Sequence, residues 1–354
     1  MGSSGMPRLG ACGGSGYEYP MELMLPHIRT LIAAVFLVSQ IVGLRGGPVT
    51  TGHANSFPPA SITWYVTNFY TGDNHWYNAG CNLGGAALHG QVGQSLVVIM
   101  DFGSEWLSGS TWGTDWIDRD GVWHTWTQAQ AVIDSYADGF YVCTGSDTSA
   151  QLTIAAGIRN YGLQWSGQPA AATAGLAWAQ LTNDFENSLG IYKSQVGVQG
   201  AIDDEPPWSS PTIAINWGNG FNGNGYAYYD YGSADGCPQS QPFGSCNAGW
   251  TQANEYTVSW GIAAAQPIPE IYNQAGAQAA QWQQISLWGY YYGTYHTILF
   301  PGELTQYNAC QQVGGCSGVD NLPVQGWTQL YNALNADSRT ADSNIPWSTD
   351  IRWG

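Results

Sequence analysis

The stretch V-Q-G-A-I-D-D-E-P-P-W, residues 198–208, is an apolar run that breaks off in three acids, two prolines and a tryptophan. A run with no polar face reads as a strand covered on both sides, and Pro206 and Pro207 end it. The pattern recurs along the chain. Residues 62–69, 96–102, 152–158, 226–231, 267–272 and 297–300 are further strand candidates, most of them closing in a polar residue. Residues 127–141, 171–192, 251–264, 275–288 and 324–335 carry helical spacing. In the second of these, Trp178, Leu181, Phe185 and Leu189 recur on one face and should pack on the sheet.

Strands buried on both faces and each followed by a helix imply a parallel sheet. Seven or eight such units over about 300 residues favour an α/β fold of the closed (β/α)8-like TIM barrel type over an open doubly wound sheet. With no Pro/Ser-rich linker or charge run, residues 55–354 read as a single domain. The one match to GxGxxG, at Gly218, Gly220 and Gly223, precedes a strand instead of joining strand to helix, and reads as a loop. Neither a Walker loop nor GxSxG nor HExxH occurs, and no cofactor is expected.

Composition narrows the partners. Eight Lys and Arg stand against 25 Asp and Glu in 354 residues, a formal charge of -17, which leaves nothing to neutralise a run of phosphates and excludes nucleic acid. Only 9% charged residues with 44% hydrophobic ones exclude a disordered chain. Eighteen Trp, 21 Tyr and 47 Gly among neutral polar residues suit a secreted monomer that offers aromatic faces to sugars. Residues 27–44 hold an apolar run, 31–38, behind Arg29, with small Gly52 and Ala54 where a signal peptidase would cut. Residues 1–54 are therefore expected to be leader and signal peptide, the mature chain starting near Asn55 and translation at Met1, Met21 or Met24. Ser39, Gln40 and Gly43 interrupt the run short of the ~20 residues of a membrane span, so no stable membrane insertion is expected after cleavage, a retained anchor being the alternative.

Beyond residue 54 six cysteines remain. Cys237 with Cys246 and Cys310 with Cys316 make the simplest local pairs, leaving Cys81 with Cys143, and the domain is read as disulfide-stapled. Zinc is the alternative, but no CxxC occurs and His75, His89, His124 and His296 are isolated, so no metal is expected. Asp115, Asp118, Asp120 and Gly121 miss the calcium-loop spacing and read as an exposed turn.

In such a barrel the chemistry sits at the C-terminal strand ends. Asp101, then Asp203, Asp204 and Glu205, then Asp230, then Glu270 supply acids from four strands. A single strand-end acid is as readily a helix cap; four to one rim are harder to dismiss. Alternation puts Asp203 and Glu205 on one face and Asp204 on the other. Asp204-Glu205-Pro206 resembles the N-E-P motif of barrel-type retaining glycoside hydrolases, in which the Glu is the general acid/base. Here Asp204 replaces the Asn that binds the sugar hydroxyl beside the reacting carbon. Asp203-x-Glu205 also resembles the D-x-E strand end of barrel-type muramidases and of related glycoside-hydrolase-like domains of exported bacterial proteins.

Glycoside hydrolysis needs one protonated and one ionised carboxyl across the scissile bond. Glu205 is the expected acid, raised by Asp203 and Asp204 and desolvated by Pro206, Pro207 and Trp208. Glu270, on the sixth strand where the N-E-P enzymes use the seventh, is the expected nucleophile or base. A muramidase-like arrangement would use Asp203 with Glu205, and Asp101 nearby. Substrate contacts are expected from Asp101, Trp106, Asp204, Trp208, Asp230 and Tyr272, the aromatics being chosen for their acidic neighbours. Most tryptophans, Trp178, Trp282 and Trp288 among them, belong to packing, while Trp217 falls in a loop. Two function classes result: a secreted glycosidase on a poly- or oligosaccharide, or a catalytically silent barrel that binds cell-wall or environmental glycan.

Overall fold

Ten strands and eight helices follow one another in the computed structural model, which describes residues 57–115 and 122–354. The strands are β1 (Ser61–Tyr65), β2 (Ser95–Ser108), β3 (Thr111–Asp115), β4 (Trp123–Thr125), β5 (Gln151–Arg159), β6 (Val196–Asp203), β7 (Tyr228–Asp230), β8 (Ala265–Pro267), β9 (Gly302–Thr305) and β10 (Trp347–Trp353). The helices are α1 (His75–Leu88), α2 (Trp126–Cys143), α3 (Ala171–Ser188), α4 (Pro211–Phe221), α5 (Gln252–Tyr256), α6 (Ala277–Tyr292), α7 (Tyr307–Gln312) and α8 (Pro323–Asn335). Eight strands pair in parallel in the order β8-β7-β6-β5-β2-β1-β10-β9. A parallel bridge between Glu270 and Leu304 joins the two ends, so the sheet closes into an eight-stranded barrel with its helices outside. β3 and β4 stand apart: β2 runs on past its barrel pairing, through a register shift between Asp101 and Ser104, and folds back with them as an antiparallel rim hairpin.

Alternation along the strands divides the core. Val97, Ile99, Ala155, Ala201, Tyr229, Tyr231, Leu304 and Ile351 fill the barrel, while Val98, Met100, Ile154, Ile158, Val198 and Ile202 face the helices. Trp178, Leu181, Phe185 and Leu189 are all buried in that outer layer, and Trp178 Nε1 donates to the Ala156 carbonyl at 3.0 Å. Trp282 is buried as expected and Trp288 is half-buried at the edge of the same cluster, its ring 5.0 Å from that of Tyr256.

Several elements differ from the sequence reading, α1, β3, β4 and α7 among them, and three are instructive. The apolar run 297–300 is not a strand; Ile298 and Phe300 pack under the helices, and the seventh barrel strand is β9, whose buried Glu303 is hydrogen-bonded by Ser348. The eighth strand, β10, hides its polar residues in partnerships: Thr349 bonds Thr63 at 2.6 Å, and Asp350 accepts from Thr305 Oγ1 and from the amides of Tyr307 and Asn308. Gly218 and Gly220, read as a loop, lie inside α4, and only Gly223 beyond it takes a positive φ, +94°. Helix wins there because α4 must touch α3. A Cβ at Gly220 would stand 2.0 Å from the Ala172 carbonyl, and one at Gly175 2.0 Å from that of Trp217.

The α1–α2 contact repeats this device and is stapled by the Cys81–Cys143 disulfide, with Cys237–Cys246 and Cys310–Cys316 as the other two bridges. Spanning 62 residues, the first constrains the unfolded chain by about 4 kcal/mol, against roughly 2–3 kcal/mol for the two short loops. Among the described residues no helix is long and apolar enough to cross a membrane. The expected leader, residues 1–54, and the turn acids Asp118 and Asp120 lie outside the described residues. Gly139→Ala, whose Cβ would meet the Tyr77 carbonyl at 2.0 Å, should destabilise the fold by about 1–3 kcal/mol, whereas Gly85→Ala on the open side of α1 should stabilise it by up to ~1 kcal/mol. Urea unfolding of the two variants checks this; shifts of the same sign would contradict it.

Candidate active site

Strand alternation delivers the first carboxylates. Asp203 is the last residue of β6 and points into the barrel. Glu205, two residues on, is held by a turn in which the Trp208 amide donates to its carbonyl at 2.9 Å. Glu270 arrives from beyond β8, where its own amide donates to the Gly232 carbonyl at 3.2 Å. One carboxylate oxygen from each of Asp203, Glu205 and Glu270 lies within 4.8 Å of the others. Asp101 on β2 sits alongside, fully buried, its Oδ1 accepting from the Gly103 amide at 2.8 Å and its Oδ2 4.0 Å from Arg159 Nε.

Burial dominates the electrostatics. Asp203, 3% exposed with Oδ1 unpartnered, is pushed well above the usual carboxylate range, first by desolvation and then by repulsion from Glu270, Glu205 and Asp101; Arg159 opposes this. Glu270 is raised well above its ordinary value by burial and then by Glu205, while the Tyr272 hydroxyl, hydrogen-bonded to it, pulls the other way. Tyr272 is also bonded to the buried Tyr65 phenol. Glu205 is the most accessible of the three and is pushed up to about 7, by burial first. Ser233 Oγ, donating to its Oε2 at 2.9 Å, works against that shift. Asp235 and Asp230 add to the rise, and the repulsion between Glu205 and its sequence neighbours Asp203 and Asp204 is felt on those two acids as well.

Asp204 and Asp230 go elsewhere. Both face the helices, 2% and 1% exposed, and with Glu255 of α5 they form a second acidic set behind the barrel wall. Asp204 is bonded by Asn160 and Asp230 by Ser259 and the Gly232 amide. Sealed there, neither reaches the mouth. Of the expected aromatics, Tyr272 lies at Glu270, Trp208 is half-buried beside Glu205 with the Arg159 guanidinium 5.6 Å from its ring, and Trp106 is half-buried on the rim hairpin. Trp217 is not in a loop but fully buried in α4, its Nε1 donating to Glu105 at 3.2 Å. Arg159, Asn160, Tyr65 and Ser233 escaped the sequence reading. Arg159 carried a signal, being one of five basic residues beyond position 54 and the last residue of a barrel strand.

Among the described residues, the spacing of Asp203, Glu205 and Glu270 would also admit a hard cation with oxygen ligands. Cys237 and Cys246 lie equally close to Glu255, but their sulfurs are spent in a disulfide.

No family model matches the chain, and no curated protein does. Among solved structures, the crystal structure of α-galactosidase I from Mortierella vinacea aligns over 82% of this chain and 76% of its own at 13% identity, with a TM-score of 0.28. The parallel strand order and its closure define the barrel without that likeness.

A carboxyl raised by folding holds its proton more tightly folded than unfolded. Its contribution is therefore full below the ordinary value and is lost as pH rises through the folded one, from 4.5 to about 7 for Glu205 and from 3.8 to about 6 for Asp230. Asp337, lowered to about 2 by Arg339, acts in the opposite sense but only below 3.8. Thermal melts should show Tm falling between pH 5 and pH 8, with a shallower fall in Asp230→Asn. A Tm that climbs steadily to pH 8 would refute the assignment.

Proposed function

We propose that this chain is a secreted glycoside hydrolase that cleaves a poly- or oligosaccharide with Glu205 as general acid/base and Glu270 as nucleophile. The observation that carries this is the convergence of Asp203, Glu205 and Glu270 within 4.8 Å at the C-terminal mouth of a parallel barrel. Three carboxyls so close and so buried cannot all ionise. Glu205, raised to about 7 and the most accessible, still carries its proton below neutral pH and can pass it to the leaving oxygen. Burial holds Glu270 up first and repulsion from Glu205 is the largest charge effect on it, so a neutral Glu205 eases its ionisation, with the Tyr272 hydroxyl to steady the anion.

Chemically, Glu205 gives its proton to the glycosidic oxygen as Glu270 attacks the anomeric carbon and the C–O bond breaks. Water then attacks the glycosyl–Glu270 ester, losing its proton to Glu205 and restoring both groups. One oxygen from each carboxyl lying within 4.8 Å of the others fits the closer pairing of a retaining site better than the roughly 6.5–9.5 Å between carboxyl groups that inversion needs. Asp203, Asp101 and Arg159 form the floor, where Asp101 acts through Arg159 because it is itself fully buried. Export rests on the N-terminal apolar run and agrees with three disulfides. The placement of Asp204 favours one other reading, a silent glycan-binding barrel, because the sugar contact that the N-E-P resemblance assigns to that position is not available from behind the wall.

A reducing-sugar screen over plant, fungal and bacterial glycans should find turnover. Glu205→Gln and Glu270→Gln should each lower kcat by several orders of magnitude with the fold intact, and chelation should leave the rate unchanged. Full activity in either variant removes that residue from the mechanism, and no turnover on any glycan leaves the silent barrel. The first product anomer seen by proton NMR should retain the configuration of the substrate.

A further inference from the structure

Four aromatic rings follow one another along one side of the barrel rim. Trp106 of the hairpin meets Trp165 edge-to-face at 5.7 Å, Trp165 meets Tyr161 at 5.5 Å, and Tyr161 meets Trp208 at 6.1 Å. They come from three separate elements: the extension of β2, the short 3-10 turn Asn160–Gln164 with the residues after it, and the β6–α4 loop. All four are half-buried, too open for core packing and too fixed for free surface side chains. Amide side chains lock the three segments together. Gln168 accepts from the Leu107 amide at 2.8 Å and donates back to the Leu107 carbonyl, Gln164 donates to the Trp208 carbonyl at 2.6 Å, and Asn160 donates to the Glu205 carbonyl at 3.1 Å. The last two bonds place the end of the strip at the proposed acid.

Charge is missing from the rim segments that carry these rings. Residues 106–114, 160–183 and 206–229 contain no Asp, Glu, Lys, Arg or His in a chain of net charge -17. Arg159, beneath Trp208, is 6% exposed and faces Asp101, so it offers the strip no accessible cation. A polyanion would gain no ion pair here and would meet the Asp203–Glu205–Glu270 carboxylates at the end of the strip. An uncharged polymer whose C–H faces stack on indole and phenol rings, and whose hydroxyls meet Asn, Gln and Ser, loses nothing.

We propose that Trp106, Trp165, Tyr161 and Trp208 form a continuous subsite strip that binds the chain of a neutral polysaccharide and leads it to Glu205. This deepens the glycan reading above and rests on it. The strip serves a polymer, since a small glycoside could occupy only the end next to Glu205.

Affinity electrophoresis tests it without turnover. The full chain, as native protein and as Glu205→Gln, is run in gels holding galactomannan, xyloglucan, mixed-linkage β-glucan or dextran, and in gels holding polygalacturonate or carboxymethylcellulose. Retardation is expected in at least one neutral gel and in neither anionic gel. Trp165→Ala and Tyr161→Ala should each weaken it about tenfold, while Trp165→Phe restores most of it, with melting curves unchanged. Retardation that Trp165→Ala leaves intact, retardation only by the anionic gels, or none in any neutral gel would overturn the strip. So would a dimer in sedimentation that Trp165→Ala abolishes. An active enzyme with an indifferent Trp165→Ala loses the strip and keeps the hydrolase; an inactive chain held by a neutral gel through Trp165 loses the hydrolase and keeps the strip.

Discussion

Two backbone hydrogen bonds close the barrel: the Ile271 amide donates to the Leu304 carbonyl at 2.8 Å and the Leu304 amide to the Pro269 carbonyl at 2.9 Å. The seam is thin for a reason visible in the chain. Along Pro267-Ile-Pro269-Glu270, the amides of Ile268 and Glu270 are spent on the Asp230 and Gly232 carbonyls of the neighbouring strand, and the alternate positions are prolines with no donor to give. Only beyond Pro269 can the ladder to β9 form. Without that seam β8 and β9 would be free edges and the eight strand ends would have no common mouth. Glu270 sits in the seam, so its backbone holds the fold together while its side chain joins Asp203 and Glu205 in the mouth.

Closure at that point also explains why the carboxylates are so perturbed. The mouth is lined by Tyr65, Tyr231 and Tyr272, and the buried acids at its base have little water to ionise into. Two acidic sets lie on either side of the β6–β7 wall, one in the mouth with Arg159 and one under the helices, and Glu205 is the group that both influence. Asp230 reaches it through the wall and Ser233 bonds it directly. The folded state therefore stores protons, and its stability and the charge of the mouth are set by the same groups.

How much of this was legible depended on whether the decisive partner was near in sequence. Strand alternation separated Asp203 from Asp204, and burial of Trp178, Leu181, Phe185 and Leu189 followed from their spacing. Helices α1 and α4 did not show themselves, because Gly80, Gly84, Gly218 and Gly220 depress helix propensity. The reason for those glycines, contact with a partner helix, is written in a distant segment. In β10, Ser348, Thr349 and Asp350 look wrong for a buried strand until Glu303, Thr63 and Thr305 are seen opposite. Tyr161 and Trp165 have no acidic neighbour to single them out, because theirs is a charge-free stretch. The sequence cue that would have caught them is that they open the loop after a barrel strand.

β2 has a consequence for any encounter at the rim. It runs from the barrel floor at Ser95 to the hairpin tip at Ser108 as one strand, so the wall bearing Trp106 is an outgrowth of the core and not a separate flap. Such a wall continues the barrel strand through the register shift between Asp101 and Ser104, and Gln168 ties it to the neighbouring loop. A ligand reaching it meets surfaces already in place and spends little on ordering them.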